Sequence, residues 1–309
     1  MHDRTTLRAL VFDSVDAQIA ILDQAGAIID VNAAWTRFGA ENGIASGFSC
    51  MGSNYLEVID CAFAAGDGLA GEAAQGMSDV LSGRRESFHH EYPCHSPSEK
   101  RWFMMTVYRL KDASDRLFVV SHSNITQRRL AEEQARHLAL HDPLTGLANR
   151  RYFDRFRNSE MRRAIRDRST ISLVLVDVDH FKEYNDELGH PAGDRCLVEI
   201  GRVLLAFSRR PGDLAARIGG DEFALVLGST GIEESQAIAD AIRRAVSDLG
   251  LVFGGSQQVT VSVGAASVVP DDHAAEKFLL DEADRALYRA KSAGRGRVVH
   301  AQAVTDGKA

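Results

Sequence analysis

The chain has 309 residues of ordinary globular composition, 45% hydrophobic and 26% charged, with a formal net charge of −7 at pH 7. This length predicts two domains, each able to bury its own core, and the lack of a basic excess argues against binding to nucleic acid. The four cysteines have no C-x-x-C spacing, the N-terminus has no signal-peptide pattern, and no apolar run reaches the roughly 18–20 residues of a spanning helix, so we expect a cytoplasmic protein without membrane insertion or a zinc site.

Residues 1–126 predict a small α+β domain, an antiparallel sheet with helices on one side. Its predicted elements are a helix at 3–14, strands at 18–23 and 28–32, a helix from Ala33, a mostly helical stretch at 53–82, and strands at 87–92, 101–110 and 117–123. The strands are assigned from β-rich runs bounded by turn residues, and the helices from the spacing of apolar residues.

Several short segments of this domain occur in an order that indicates a known family. They are Ile19-Ala20-Ile21-Leu22-Asp23, Gly26, Asn32-Ala33-Ala34-Trp35, Arg101-Trp102-Phe103 and Asn124-Ile125-Thr126-Gln127-Arg128-Arg129. Together they resemble a PAS sensor domain, and the last segment is similar to the D-I-T-x-R-K ending of that family, with Asn124 in the Asp position. The resemblance implies a sensor, but it does not identify the signal.

Four histidines of this domain are candidates for haem or metal binding: His89, His90, His95 and His122. A histidine in a β-rich domain is more often solvated or hydrogen-bonded than a ligand, and we favour that interpretation. Cys94 lies in a two-proline loop that does not resemble the setting of a flavin-adduct cysteine. A small organic ligand, or none, remains open.

Residues 127–140 predict a polar linker helix. Its apolar positions recur at helical spacing, at Leu130, Ala131, Ala135 and Leu138. This stripe is too short for an autonomous coiled coil, but it can pair with a second copy in a dimer. A simple surface linker is the alternative. We favour the dimer because the chemistry inferred below requires two copies.

The third segment, residues 141–309, contains an acidic hairpin at 217–223. Apolar residues run into and out of Gly219-Gly220-Asp221-Glu222, which predicts two buried strands joined by a glycine turn. Adjacent carboxylates at such a tip repel each other unless a cation or a ligand hydroxyl lies between them. Glycines there allow close approach of a bulky ligand.

A second acidic cluster follows the continuous apolar run at 171–176, which predicts a strand buried on both faces. Asp177 is therefore expected at the exit of a central strand, where a carboxylate can hold a hard cation such as Mg²⁺. Asp179 shares its face if the strand continues, so whether Asp179 also reaches the cation depends on where the strand ends.

Positively charged side chains near the acidic clusters are expected to balance the charge of a metal-bound triphosphate ligand. Lys182 follows the strand, while Lys291 and Arg295 have the i, i+4 spacing that gives a shared face if the last helix extends that far. A solvated helix end is the alternative for this pair. The predicted elements of this segment are a helix from near Asn149, the strand at 171–176, a helix at 193–207, the acidic hairpin, helices at 232–248 and 275–292, and strands at 259–265 and near 297–300. This central sheet with helices packed on it resembles the βαββαβ core of nucleotide-polymerising palm domains.

Six ordered motifs occur in residues 141–302. They are D-P-L-T-G-L-x-N-R at 142–150, D-x-D-x-F-K-x-x-N-D at 177–186, G-H-x-x-G-D at 189–194, R-x-G-G-D-E-F at 217–223, S-V-G at 262–264 and A-D-x-A-L-Y-x-A-K-x-x-G-R at 283–295. In this order they closely resemble the GGDEF domain, the diguanylate cyclase family. Gly296 departs from the Asn that usually follows Gly-Arg.

The resemblance implies condensation of two GTP into cyclic di-GMP with release of two pyrophosphates, by a homodimer in which each domain holds one GTP. By position, Asp177, the carbonyl of Val178 and Asp221 are ligands of Mg²⁺ (or Mn²⁺). Asp221 also accepts the 3′-hydroxyl proton, Glu222 supports the metal or the nucleophile, and Lys182 is a catalytic cation.

The resemblance also implies the substrate contacts. Asn185 and Asp194 correspond to the guanine-reading pair, since an amide and a carboxylate complement the edge of guanine. The phosphates are assigned to the backbone of His180 and Phe181 and to the side chains of Lys182, Lys291 and Arg295.

Arg210 and Asp213 match the R-x-x-D inhibitory site of the family in sequence and in spacing to Gly219, which favours product inhibition; a polar turn that ends a helix is the alternative. Two other functions stay open at this level. One is an inactive effector that binds cyclic di-GMP through Arg210 and Asp213. The other is a PAS-driven dimerisation module with incidental GTP binding. The retained acidic tip favours the enzyme.

Overall fold

A computed structural model of the chain describes residues 3–43, 49–57, 59, 68–96, 99–111, 116–272 and 274–301. The chain divides into two compact units, Met1–Gln134 and Ala135–Ala309. Each unit combines helices with one main sheet, and the predicted α+β class is confirmed.

The first unit contains a five-stranded antiparallel sheet. Its elements are α1 (Arg4–Ser14), β1 (Gln18–Leu22), β2 (Ile28–Val31), α2 (Ala33–Glu41), α3 (Gly68–Leu81), β3 (Ser87–Pro93), β4 (Trp102–Arg109) and β5 (Phe118–Asn124). The strand order is β2-β1-β5-β4-β3. Of the helical stretch predicted at 53–82, α3 is observed, while residues 58 and 60–67 lie outside the described residues.

Asn32 holds the start of this unit together. It is fully buried, and its amide oxygen accepts from the backbone N–H groups of Ile19 and Trp35, both at 3.0 Å. Its amide nitrogen donates to backbone carbonyls that precede β1, the shortest of these bonds being 2.9 Å to Ala17. A buried amide with all its bonding groups satisfied fixes one geometry, which explains the Asn in the Asn-Ala-Ala-Trp segment.

The second unit contains a six-stranded sheet with helices on both faces. Its elements, after the helix α4 (Thr126–Leu140) that runs from the first unit into the second, are β6 (Ala148–Asn149), α5 (Arg150–Asp167), β7 (Ile171–Val178), α6 (Phe181–Leu188), α7 (His190–Ala206), β8 (Asp213–Arg217), β9 (Glu222–Gly228), α8 (Ile232–Ser247), β10 (Val252–Phe253), β11 (Gln257–Gln258), β12 (Val261–Val268), α9 (Ala274–Ser292) and β13 (Val298–His300). The order is β13-β12-β7-β9-β8-β6.

The central strand β7 is buried along its whole length. Val174 and Val176 belong to the core shared with α7 and α8, whereas Leu173 and Leu175 belong to the core shared with α5 and α9. Because strand side chains alternate between faces, Asp177 falls on the α9 face. The neighbours β9 and β12 both pair with β7 in antiparallel fashion.

Helix α9 lies directly on β12 at Gly264. A Cβ atom added there would be 2.1 Å from the backbone nitrogen of Leu287 and 2.4 Å from the carbonyl oxygen of Ala283. These distances are shorter than any real contact, so only glycine permits the helix to pack this closely. The glycine of the S-V-G motif is therefore a packing requirement.

Several boundaries differ from the sequence expectation. Helix α7 begins at His190 rather than near 193, because Gly189, with a φ of 80°, separates it from α6 and Pro191 fits in its first turn. The short strand β6 and the β10–β11 hairpin were not predicted, since two-residue strands carry no periodicity.

Candidate active site at the hairpin tip

The tip that joins β8 to β9 is a tight turn with two different glycines. The N–H groups of Ile218 and Gly219 both donate to the carbonyl of Glu222, at 2.9 and 3.2 Å. A Cβ on Gly219 would lie 2.5 Å from a carboxylate oxygen of Glu222, whereas one on Gly220 would meet nothing within 4 Å. A side chain at position 219 would displace the Glu222 carboxylate, and Gly220 leaves open space beside Asp221.

The two acidic clusters meet at one edge of the sheet. Asp177 lies directly opposite Glu222 in the β7–β9 ladder, so their side chains share a face. The N–H of Val178 donates to the carbonyl of Asp221 at 3.2 Å. Burial raises the pKa of Asp177, and the charges of Asp221 and Glu222 raise it further, while the ammonium of Lys291 lowers it.

Lys291 is already in contact with this cluster. Its Nζ is 2.6 Å from Oδ2 of Asp177, and the lysine side chain is 35% exposed against 11% for the aspartate. Helix α9 brings the lysine to this position because it packs on the same sheet face. The pair places a positive charge beside the acidic group.

These residues fit a divalent cation that is shared with a substrate. Within the described part of the chain, no three His, Cys, Asp or Glu side chains are grouped so as to hold a metal by themselves. Mg²⁺ is commonly held by one or two carboxylates, with phosphate oxygens and waters completing the shell. The oxygen donors of Asp177, Asp221 and the Val178 carbonyl match that pattern.

Arg217 fixes the tip from behind. Its Nε and Nη2 donate to the carbonyl of Gly220 at 3.1 and 2.7 Å, and its Nη1 donates to both oxygens of Asp142, at 3.2 and 3.3 Å. Asp142 also accepts from the backbone N–H and hydroxyl of Thr145. Burial acts to raise the pKa of Asp142, but the bonds from Thr145 and Arg217 outweigh it, and the pKa is lowered. Arg217 and Asp142 lie within the sequence motifs, but the motifs alone do not indicate that the two side chains contact each other.

Asn185 and Gly193 form a cradle on the neighbouring helices α6 and α7. The side-chain oxygen of Asn185 is buried and has no hydrogen-bond partner. A Cβ on Gly193 would lie 1.8 Å from that oxygen. A buried acceptor without a donor is energetically costly, so the Asn185 oxygen is a candidate to accept an N–H group of a ligand. Asp194 is the next residue on α7 and is exposed.

The N-terminus of α6 follows β7 closely. His180 has left-handed backbone with a φ of 57° and is the N-cap residue of the helix. Phe181 is half-buried and Lys182 is exposed. The pKa of Glu183 is lowered by its own backbone N–H, by a hydrogen bond from His180 and by the positive charge of Arg295.

The ends of β7 and α9 determine which of the predicted residues lie on a shared face. Strand β7 ends at Val178, so Asp179 does not join Asp177 at the tip; it is buried, 3% exposed, among other partners. Helix α9 ends at Ser292, so Lys291 and Arg295 do not share a helical face. The helix stops where Gly294 takes a positive φ of 106° and the N–H of Arg295 closes the turn onto the carbonyl of Ala290, at 3.1 Å; Arg295 itself is also left-handed, with a φ of 59°.

Arg210 and Asp213 lie at the opposite end of the hairpin from the acidic tip. The backbone N–H of Arg210 donates to Asp213 at 3.2 Å, and the guanidinium donates to Glu234 at 2.8 Å. Burial raises the pKa of Asp213, although Arg210 lowers it, and one carboxylate oxygen of Asp213 is buried without a partner. The turn therefore presents an exposed guanidinium beside an unsatisfied acceptor.

In the first unit, the structure singles out His122 among the four histidines. Its two ring nitrogens lie 2.7 Å from the hydroxyls of Tyr55 and Tyr92. Burial lowers the pKa of His122 to about 4, so the ring is neutral near pH 7 and one hydroxyl donates to it while the other accepts. The pKa values of both tyrosines are raised by burial.

Comparison with known proteins identifies both units. The family described as "Diguanylate cyclase, GGDEF domain" matches residues 139–297, and the family described as "PAS fold" matches residues 12–130. The chain therefore belongs to the GGDEF-domain family and carries a PAS fold, as its motifs predict. No described helix is long and apolar enough to cross a membrane.

Relatives support the assignment to this family. The chain is 37% identical over 187 residues to the diguanylate cyclase DgcM of Escherichia coli K12, which covers 60% of this chain and 44% of DgcM. It is 37% identical over 166 residues to the diguanylate cyclase DgcP of Pseudomonas aeruginosa, covering 54% of this chain and 24% of DgcP. The chain thus spans less than half the length of either relative.

One solved structure is similar over most of the second unit. It is the coiled coil and GGDEF domain of DgcB from Caulobacter crescentus in complex with c-di-GMP, with a TM-score of 0.53 and 33% identity. The match covers 57% of this chain and 93% of the DgcB chain.

Proposed function

We propose that this chain is a sensor-regulated diguanylate cyclase that condenses two GTP into cyclic di-GMP and two pyrophosphates. The observation that carries the proposal is the meeting of Asp177 with the Asp221–Glu222 tip at one sheet edge, with Lys291 beside them. We assign residues 1–126 to the sensor, 127–140 to the linker helix and 141–309 to the cyclase.

Asp177, Asp221 and the carbonyl of Val178 hold Mg²⁺ or Mn²⁺ in this proposal. When bound, the metal stabilises charge on the reacting phosphate and favours an ionised 3′-hydroxyl. In this proposal Asp221 accepts the proton of that hydroxyl, and Glu222, which lies opposite Asp177 in the ladder, supports the same group. The attacking oxygen then bonds to the α-phosphorus of the other GTP, and pyrophosphate leaves.

Lys291 changes partners when substrate binds. Before binding, its ammonium neutralises Asp177 at 2.6 Å. With Asp177 bound to a divalent cation, Lys291 would lose this partner and be free to bind the phosphates. Lys182 and Arg295 complete the cationic group, together with the backbone of His180 and Phe181 at the start of α6.

Guanine is held between Asn185 and Asp194. The unpartnered oxygen of Asn185 accepts an N–H of the base, and the carboxylate of Asp194 accepts from the N1–H and amino group of guanine. Adenine has neither the N1–H nor the 2-amino group, so ATP leaves the Asp194 carboxylate without the donors that guanine supplies. We expect discrimination on the order of 10⁴-fold, the scale for a site built to hydrogen-bond its substrate.

Two copies are required because each cyclase unit supplies one GTP. The apolar stripe of α4 supports pairing between copies, since Leu130 and Leu138 are 45% and 61% exposed. Apolar residues repeated along an otherwise polar helix are typical of a helix that pairs in a dimer. The cyclic di-GMP product is further proposed to bind Arg210 and Asp213 and to inhibit the enzyme.

The decisive experiment is incubation of the full chain with GTP and Mg²⁺, followed by chromatography of the products. We expect cyclic di-GMP and pyrophosphate, no reaction with ATP, and no product from Asp221→Asn, whose circular dichroism should match the wild type because the tip is a surface turn. Tight binding of cyclic di-GMP without any turnover would instead establish the inactive effector.

A further inference from the structure

Asp179 is a buried carboxylate to which the proposed chemistry gives no role. It lies just beyond β7, and its backbone N–H donates to the carbonyl of Thr260 at 2.9 Å. One side-chain oxygen accepts from the hydroxyl of Ser262 at 2.7 Å. The other accepts from the hydroxyl of Thr260 at 2.7 Å and from the backbone N–H of Gly296 at 3.0 Å.

The bond to Gly296 reaches the turn that carries Arg295. Three consecutive residues of that turn have positive φ, with 106° at Gly294, 59° at Arg295 and 58° at Gly296. A left-handed arginine persists only where its surroundings impose that conformation. The N–H of Arg295 binds the end of α9 on one side, and the carboxylate of Asp179 holds the following N–H on the other.

We propose that Asp179 is a positioning residue that fixes Arg295 for the substrate triphosphate. It connects the exit of the strand that bears Asp177 to the turn that bears Arg295, through one buried carboxylate. The position of the cation is thereby set relative to the metal-binding edge. The inference rests on the proposed cyclase function.

Asp179 is not placed to act as a metal ligand. Both of its oxygens are engaged by protein donors, and the residue is 3% exposed. Its neighbour Asp177 faces Glu222 and Lys291, whereas Asp179 faces β12 and the turn after α9. A role in core stability alone is the remaining alternative, and the experiment below separates it from positioning.

The test uses 3′-deoxy-GTP, which keeps the base and triphosphate but has no attacking hydroxyl, and titration calorimetry of the full chain with Mg²⁺. We expect Asp179→Ala to weaken binding of 3′-deoxy-GTP roughly tenfold, the scale of one hydrogen bond to a charged group. Binding of 3′-deoxy-GMP, which lacks the two outer phosphates, should change much less.

Asp179→Asn distinguishes geometry from charge. Its carbonyl oxygen can still accept from Gly296, while the Ser262 hydroxyl turns to accept from the amide. Positioning therefore predicts near wild-type binding by Asp179→Asn. A loss as large as that of Asp179→Ala would overturn the proposal, since a metal ligand or a required charge would behave that way.

A double-mutant cycle with Arg295→Ala makes the test specific. If Asp179 acts through Arg295, the double variant Asp179→Ala/Arg295→Ala binds no more weakly than Arg295→Ala alone. Additive losses of roughly tenfold each would refute the inference. If Asp179→Ala does not fold, Thr260→Val replaces it, because that hydroxyl shares a carboxylate oxygen with Gly296; there too the loss must disappear in the Arg295→Ala background.

Ser172→Ala is the matched control for stability. Ser172 is fully buried at the other end of β7, and its hydroxyl donates to the carbonyl of Thr230 at 2.7 Å. This variant should lower the unfolding midpoint without changing the affinity for 3′-deoxy-GTP; an equal loss of affinity would reduce Asp179 to a stability role. Failure of the wild type to bind 3′-deoxy-GTP would refute the cyclase proposal itself, whereas wild-type binding with an unaffected Asp179→Ala would refute only this inference.

Discussion

At the scale of single residues, Gly193 sets the room available to Asn185. An added Cβ would lie 1.8 Å from the Asn185 oxygen and 3.1 Å from the ring of Phe181. We therefore expect Gly193→Ala to displace the Asn185 amide and to weaken binding of 3′-deoxy-GTP roughly tenfold or more. Stability should hold or rise, because alanine is favoured over glycine in a helix by about 1 kcal/mol.

Gly201→Ala is the control for that prediction. Gly201 lies in the same helix, and its replacement by alanine gives the same gain in helix propensity. The added Cβ would contact Thr145, at 3.2 Å, and neither Asn185 nor Gly193. Calorimetry should show a loss of affinity for Gly193→Ala and little change for Gly201→Ala. Equal affinities of Gly193→Ala and the wild type would show that Asn185 does not hold the base.

His122 makes the stability of the first unit depend on pH. Its folded-state pKa is about 4, below the ordinary value of about 6.5 for an unfolded chain. The unfolded state therefore binds more protons between these two values. The stability contributed by the neutral ring is fully present above about pH 6.5 and is lost as the pH falls toward about 4.

The corresponding measurement uses tryptophan fluorescence, because both tryptophans of the chain, Trp35 and Trp102, lie in the first unit. Between pH 7 and pH 5 we expect the free energy of unfolding to fall by about 2 kcal/mol more in the wild type than in His122→Gln, which cannot be protonated. Parallel pH profiles for the two proteins would contradict the assignment of this loss to His122.

The sequence predicts acidic residues at this site better than it predicts their separate roles. Asp177 and Asp221 can be predicted as site residues from a strand exit and a glycine turn, because both patterns lie in short stretches of sequence. Asp179 could not be assigned, because its role depends on whether β7 ends at residue 178 or two residues later. The partners of Asp179 at Thr260, Ser262 and Gly296 are more than 80 residues away in the chain, and such contacts leave no periodic signal.

At the scale of elements, the hairpin tip depends on Arg217. Its guanidinium joins the Gly220 carbonyl to the carboxylate of Asp142, and both charged side chains are about 15% exposed. We expect Arg217→Met to lower the rate of cyclic di-GMP formation at least tenfold, because the tip that presents Asp221 loses its support. The unfolding free energy should fall by roughly 1–3 kcal/mol, the scale of a half-buried charged hydrogen bond.

Arg217→Lys is the informative comparison. An ammonium has no fork and cannot hold Gly220 and Asp142 in the same planar arrangement. Steady-state rates and urea unfolding of the two variants should therefore show that lysine restores part of the stability but little of the activity. Full activity in Arg217→Lys would show that only the charge matters.

The elements themselves were largely predictable where their patterns are long. Strand β7 and helices α8 and α9 were predicted at 171–176, 232–248 and 275–292, and their observed positions agree to within a few residues. The end of α9 at Ser292 agrees with the helix predicted at 275–292. The turn that follows was not predictable, because the Gly296 N–H binds Asp179, 117 residues away in the chain. Helix α1 was predicted from an apolar face, yet Leu7, Leu10 and Val11 are each at least 50% exposed, since periodicity does not reveal what a face packs against.

At the scale of the whole second unit, the proposed substrate and product sites lie at opposite ends of one hairpin. Strand β8 runs from Asp213 to Arg217, about 14 Å at 3.4 Å per residue. Product can therefore bind at Arg210 without entering the GTP site. To do so it displaces the exposed bond from Arg210 to Glu234, which costs little because surface ion pairs contribute about 0–1 kcal/mol.

We expect wild-type reactions to reach a plateau before GTP is exhausted and Arg210→Ala to remove that plateau at an unchanged initial rate. Loss of one charge-assisted bond weakens binding of cyclic di-GMP by roughly ten- to a hundredfold. Full time courses with added cyclic di-GMP measure this directly. The same inhibition constant in both proteins would make the turn merely structural.

The contact between α9 and β12 restricts which residues can occupy position 264. Gly264 touches no proposed ligand, yet a Cβ there would enter the backbone of α9 at Leu287. Lys291 lies one turn further along the same helix, so any side chain at 264 would move the helix outward and draw its ammonium away from Asp177. Gly264 thus determines the distance between Lys291 and Asp177, and substitutions there should reduce activity with every proposed substrate-binding residue still present.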